Sequence, residues 1–198
     1  MDKIYFTSDT HFGHTNILRF GKGRPFEDIN EHDEMLIKNW NDRVGPGDRI
    51  YHLGDFSMSN PERIRSILER LNGQIFIIRG NHDKNLRGDK TLNHVIWIKD
   101  YFKLKVPDEG TVTGKQEIVL SHFPFEVWDK RHYGSWHLHG HCHGNLPSPE
   151  WQPRLDVGVD NCNFAPISYE EVKKVMKAKT FKPLDHHSDK RKGKKDVY

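Results

Sequence analysis

The chain has only two cysteines, Cys142 and Cys162, in 198 residues. Two cannot make a disulfide framework, and a reduced, cytoplasmic setting is expected. Long apolar runs are missing as well. No stretch approaches the length that spans a bilayer, and Met1-Asp2-Lys3-Ile4-Tyr5-Phe6 has no signal-peptide apolar core, so no membrane partner is expected. Nor does one sign of charge dominate. The formal net charge is +3, and much of that excess lies in Lys190-Arg191-Lys192-Gly193-Lys194-Lys195. Without this run the chain is near neutral or slightly acidic, so its charge gives no ground for a basic nucleic-acid-binding body. No internal repeat is visible. Hydrophobic residues are only 34% of the chain, yet they cluster into strand-like runs, which argues against wholesale disorder.

Histidine, by contrast, is abundant, with 14 in the chain. It is the commonest metal ligand and the usual acid or base near neutral pH. Apolar runs predict strands at 3–7, 49–53, 74–78, 95–98, 101–106, 117–120, 136–139 and 155–159. Helices are expected at 15–20, at 30–43 through Met35, Leu36 and Trp40, after the Asn60-Pro61 start, and at 169–177 behind a Ser168/Glu171 capping box. The alternation indicates an α/β fold with a parallel or mixed sheet. One domain is expected over residues 1–182, followed by a basic, disordered tail at 183–198.

Five predicted strands end in short turns that carry metal-capable side chains: Asp9-Thr10-His11, Gly54-Asp55, Gly80-Asn81-His82-Asp83, Ser121-His122 and Gly140-His141-Cys142-His143. If the strands lie in adjacent sheets, these turns converge on one edge. The combined carboxylates, amide and imidazoles suit two divalent ions. Mixed oxygen and nitrogen donors favour Mn²⁺, with Fe, Ni, Co or Zn as alternatives, over an all-oxygen Mg²⁺ or Ca²⁺ site. Such a pair can bridge a hydroxide and clamp a phosphoryl group.

The order Asp-x-His, Gly-Asp, Gly-Asn-His-Asp, His, Gly-His-x-His resembles the calcineurin-like metallophosphoesterase superfamily over residues 3 to about 175. Ser8 to Asn16 and Leu155-Asp156-Val157-Gly158-Val159-Asp160 look like its small bacterial and phage branch. The resemblance implies a four-layer α-β-β-α sandwich with two mixed β-sheets. It also implies a dinuclear phosphoesterase that acts on phosphodiesters or phosphomonoesters through a metal-bound hydroxide. Asp9, His11 and His143 would hold the first metal, and Asn81, His122 and His141 the second, with Asp55 bridging. His82 would stabilise the phosphate charge and protonate the leaving oxygen, with Asp83 bracing the loop or orienting His82. The sequence departs from the phosphoprotein phosphatases, because Gly54-Asp55-Phe56-Ser57 lacks the Asp-Arg-Gly that follows Gly-Asp in them, which removes a carboxylate and an arginine. That argues against protein phosphatase activity and leaves open what orients His82.

Other residues have two readings. His14 and Asn16 reach the substrate or the ligands, or cap the following helix. Arg24 grips a phosphate or is solvated. His137 and His139 share one strand face, where packing or support of a ligand is expected rather than a third metal. The run His132 to Trp136 lines the substrate pocket or is a surface loop, and Cys142 packs in the core. The expected partner is a phosphate ester, with a nucleotide or nucleic-acid end among the candidates. The rival functions are a nuclease anchored by the basic tail and a catalytically silent scaffold.

Overall fold

β-Branched and aromatic residues fill short strands whose side chains alternate between two cores. The computed structural model describes residues 2–20, 23–86 and 94–180. The first sheet has the order β4-β3-β2-β1-β9: β1 (Ile4–Thr7), β2 (Arg49–His52), β3 (Gln74–Ile78) and β4 (Val95–Lys99) run parallel, and β9 (Ile167–Ser168) pairs antiparallel with β1. The second sheet has the order β5-β6-β7-β8. In it β5 (Tyr101–Pro107) is antiparallel to β6 (Lys115–Ser121), while β6, β7 (Trp136–His139) and β8 (Arg154–Asp156) are parallel.

The alternation sorts the side chains. Tyr5, Ile50, Ile75 and Ile77 point to one face of the first sheet, which is covered by Leu36, Ile37 and Trp40 of α1 (Ile29–Arg43) and by Ile64, Ile67 and Leu68 of α2 (Pro61–Leu68). Phe6, Tyr51 and Ile78 point to the other face and meet Leu104, Ile118, Leu120 and Leu138 of the second sheet. α3 (Tyr169–Lys177) adds Tyr169, Val172 and Met176 to this inter-sheet core, and the Ser168/Glu171 capping box starts it. No helix among the described residues is long and apolar enough to cross a membrane. The residues expected to form the tail lie outside the described ones.

Three local expectations shift. The strand expected through Val159 stops at Asp156, because Asp156 accepts the Gly158 N–H and the chain crosses to pair with Ser8 in the first sheet. Ile167–Ser168 forms a two-residue strand too short to show a period. The helix expected after His14 is a 3₁₀ turn, Thr15–Arg19, anchored by buried Ile17.

The outer face of the second sheet is covered by the connection from β6 to β7, which includes a 3₁₀ turn at Arg131–Tyr133. Buried His137 fixes it there. Its Nδ1 donates to the Val119 carbonyl at 3.1 Å, Nε2 accepts the Phe125 N–H at 3.0 Å, and the Phe125 ring stacks on it. Both ring nitrogens are satisfied only in the neutral form. Burial, aided by neighbouring His139, pulls its pKa down to about 3. The stability from the neutral ring is therefore complete above about 6.5 and lost as pH falls toward 3. Between pH 6 and 4, unfolding free energy should fall more steeply in wild type than in His137→Gln, by up to about 1.4 kcal/mol per pH unit. Denaturant titrations with equal slopes for the two proteins would contradict this.

Candidate metal centre

Each of the five turns leaves the carboxyl end of a strand: β1, β2 and β3 in the first sheet, β6 and β7 in the second. The sandwich brings those ends together. His122, after β6, donates from Nδ1 to the Leu53 carbonyl after β2 at 2.8 Å. The His141 N–H donates to the Asp9 carboxylate at 3.0 and 3.1 Å. Within the first sheet, the Asp9 N–H donates to the Gly54 carbonyl at 2.9 Å and the His11 N–H to the Asp55 carbonyl at 3.0 Å. The motif glycines mark these crossings. A Cβ on Gly140 would lie 1.9 Å from Ser8 Oγ, and one on Gly54, at φ +99°, would lie 2.5 Å from His122 Nδ1. Asp9, His11, Asp55, His141 and His143 themselves hold positive φ, between 47° and 71°. Such strained backbone concentrates at functional sites.

Two groups of donor atoms result. Asp9, His11 and His143 offer ligand atoms within 4.8 Å of one another, and so do Asp55, His122 and His141. Asn81 adjoins the second group, with Oδ1 3.1 Å from His122 Nε2. Asp55 Oδ2 lies between the groups, 3.6 Å from His11 Nε2 and 3.4 Å from His122 Nε2. His11 Nε2 is buried without a hydrogen-bond partner, a state that interiors rarely leave unused. His122 and His143 each spend Nδ1 on an acceptor, the Leu53 carbonyl and the Asp160 carboxylate (2.7 Å), which leaves Nε2 for the donor group.

The electrostatics agree with a cation site. Burial pushes Asp9 up to about 7, against the opposing charges of His143 and His122. Burial takes His11 down to about 2 despite Asp55. For Asp55 burial acts upward, but His122, the His82 N–H and His11 outweigh it and hold the carboxyl well below the usual range. Neutral imidazoles beside buried carboxylates form the donor set of a mixed oxygen and nitrogen metal site.

Arg24 departs furthest from expectation. It is neither solvated nor free for a phosphate: it is 5% exposed. Nε and Nη2 hold the Asp160 oxygens at 2.9 Å, and Nη2 also donates to the Asp9 carbonyl at 2.7 Å. Nη1 takes the Thr10 carbonyl at 3.1 Å and His32 Nε2 at 2.8 Å, so all five N–H groups are used. An arginine only donates, so His32 accepts and its ring hydrogen faces Asp33 Oδ1 at 2.9 Å. A buried chain of polar side chains thus runs from α1 through Arg24 and Asp160 to His143. Nothing in the sequence tied Asp160 to His143.

Asp83 braces rather than orients. It is buried and accepts the N–H groups of Asp55, Phe56 and Gly80 at 2.8 Å each, and none of its hydrogen bonds goes to the His82 ring. Burial moves its carboxyl pKa upward even so. The His82 side chain is 40% exposed, with Nε2 4.0 Å from Asp55 Oδ2. Its main-chain N–H is held by Asp55 Oδ1 at 2.8 Å, and its ring lies 5.4 Å from that of His11 and 6.3 Å from that of His14. His14 leaves the helix start uncapped and turns Nδ1 toward His11 Nδ1 at 3.4 Å. Asn16 is exposed, in the 3₁₀ turn that follows the first loop. His139 is buried and bonds the Gly140 carbonyl at 2.8 Å. The run His132 to Trp136 does not line the site. Tyr133 is 79% exposed at the opposite end of β7, and Trp136 packs in the inter-sheet core. The aromatic rings beside the donors are Phe123, 4.7 Å from the His141 ring, and Phe20, 5.8 Å from the His14 ring. Both stand in turns without a period to read. Both cysteines are free, and Cys142 is only half-buried.

A family model described as calcineurin-like phosphoesterase matches residues 2–159. An uncharacterized protein of Methanocaldococcus jannaschii is 36% identical over 183 residues, covering 89% of this chain and 92% of its own. The gene 66 protein of Mycobacterium phage D29 is 32% identical, covering 81% and 89% respectively. A crystal structure of a protein of unknown function from Aquifex aeolicus shares the fold, with a TM-score of 0.64 at 23% identity over 88% of this chain and all of that one.

Two outcomes follow from the geometry. Asp55→Ala should lower metal content at both donor groups; elemental analysis that still finds two ions per chain would contradict its place between them. Arg24→Met should destabilise the fold by about 2–3 kcal/mol, below the usual 3–5 for a broken buried pair because the Asp160 side chain keeps 21% of its surface. A change under about 0.5 kcal/mol in denaturant unfolding would show that the Arg24 network does not hold the loop.

Proposed function

The chain belongs to the calcineurin-like phosphoesterase family, and from that premise we propose that it is a dinuclear metal-dependent phosphoesterase hydrolysing phosphodiester or phosphomonoester bonds. The observation that carries this reading is the place of Asp55 Oδ2, within 3.6 Å of a histidine nitrogen from each donor group and 4.0 Å from His82 Nε2. The mixed donors favour Mn²⁺, with Fe, Co, Ni or Zn²⁺ able to serve. Two such ions, when bound, supply the nucleophile and neutralise phosphate charge.

The chain's own residues do the rest. Asp9, His11 and His143 form one wall, Asn81, His122 and His141 the other, and Asp55 sets their separation. His82 stands at the open side and donates a proton to the leaving oxygen. Among the described residues, no carboxylate but Asp55 lies within 4.0 Å of a His82 ring nitrogen. Its position therefore comes from the main-chain bond to Asp55 and from the flanking imidazoles of His11 and His14. A full ligand set together with an accessible imidazole favours an active enzyme over a silent scaffold.

His82→Asn should lower turnover of bis(p-nitrophenyl) phosphate by about 10²–10⁴-fold while leaving metal content unchanged. Full activity in the variant would remove His82 from the acid role.

A further inference from the structure

Beside the first donor group, a cleft of about 540 Å³ opens past His82 and His143. Part of its lining is apolar, at Ile17, Phe20 and Phe164, and part carries amides, at Asn145 and Asn161. We propose that this cleft is the subsite for an uncharged planar group of the substrate, a nucleobase, with Phe20 as its stacking surface. The proposal rests on the phosphoesterase reading and deepens it.

Phe20 is 58% exposed and belongs to neither apolar core. It is not loosely placed. It follows a 3₁₀ turn anchored by buried Ile17, and its carbonyl accepts the Gly23 N–H at 2.9 Å. Its one ring contact among the described residues is edge-on to His14, at 5.8 Å and 67°. The ring faces have no aromatic partner there. Because His14 in turn lies beside His11 and His82, the ring is joined to the reacting region by a single imidazole.

The charges decide what kind of group fits. Among the described lining residues Arg24 is the one guanidinium, and Asp160 and three other acceptors consume its N–H groups. The described lining residues therefore offer no uncommitted cation for a second phosphate beyond the catalytic one. They do offer amides. No intramolecular hydrogen bond engages the side chains of Asn145 or Asn161 among the described residues. The Asn161 amide lies against Gly144, where a Cβ would sit 2.3 Å from its Oδ1. A ring face with amides nearby and no spare charge matches a base, which has a π-face and a polar edge. A sugar phosphate or an alkyl ester would leave Phe20 unused.

The test uses the full-length, Mn²⁺-loaded protein and initial rates on bis(p-nitrophenyl) phosphate, with adenosine 5′-monophosphate and ribose 5-phosphate as inhibitors. The adenosine compound should inhibit about tenfold more tightly than ribose 5-phosphate, a typical effect of one stacked base. Phe20→Ala should bring the ratio of inhibition constants to within about twofold, and Phe20→Tyr should keep it. Equal inhibition by the two compounds in wild type, or a preference that survives Phe20→Ala, would overturn the subsite. A protein that turns over no ester with any divalent metal would instead fail the phosphoesterase reading. Calorimetric binding of the same two compounds to wild type and Phe20→Ala would then decide the cleft alone.

Discussion

Left-handed backbone at the candidate ligands is the constraint to which the surrounding structure answers. Asp9, His11, Asp55, His141 and His143 all hold positive φ without being glycine, at roughly 1–3 kcal/mol each. Such residues persist only where neighbours over-determine them. Here each turn is held by the next. The second turn accepts the N–H groups of the first, the first turn's carboxylate accepts the His141 N–H, and Asp83 of the third accepts those of the second. The motif glycines are where this interlock leaves no space for a side chain. Main-chain hydrogen bonds, rather than side-chain packing, therefore set the positions from which the donors project.

Arg24 extends the same logic to the side chains. By holding the carbonyls of Asp9 and Thr10 it fixes the first turn from behind, and by holding Asp160 it aims His143. Burying a guanidinium is costly unless every N–H is satisfied, and here every one is. Asp83 plays the matching part on the other side, as an acceptor of N–H groups. One donor-only and one acceptor-only side chain thus brace the edge where the two sheets meet, and His82 remains on the open side, its ring without a hydrogen bond among the described residues.

Much of this could be read before any coordinates. An apolar run followed by a turn bearing Asp, Asn or His identified the five loops, because that signal is local in sequence, while the two-sheet sandwich followed from the family resemblance of those loops taken in order. What could not be read is non-local. Arg24 sits on a glycine-bearing loop with nothing to show that it turns inward, and its partner Asp160 lies 136 residues away. The strand at Ile167–Ser168 has no period, and the one ending at Asp156 is cut short by pairing with a distant sheet. The aromatic run from His132 to Trp136 suited a pocket or a surface loop equally, and strand direction puts it at the far end, with Tyr133 at the surface. Phe20, a single ring after a short turn, carried no signal.

The central claim is that Asp55 joins two metal ions into one centre. It is tested most directly by titrating the metal-free protein with Mn²⁺ and recording electron paramagnetic resonance spectra alongside metal content. The account predicts two ions per chain and the broadened spectrum of an exchange-coupled pair. A single ion per chain, or the simple six-line spectrum of isolated Mn²⁺ at full loading, would contradict it.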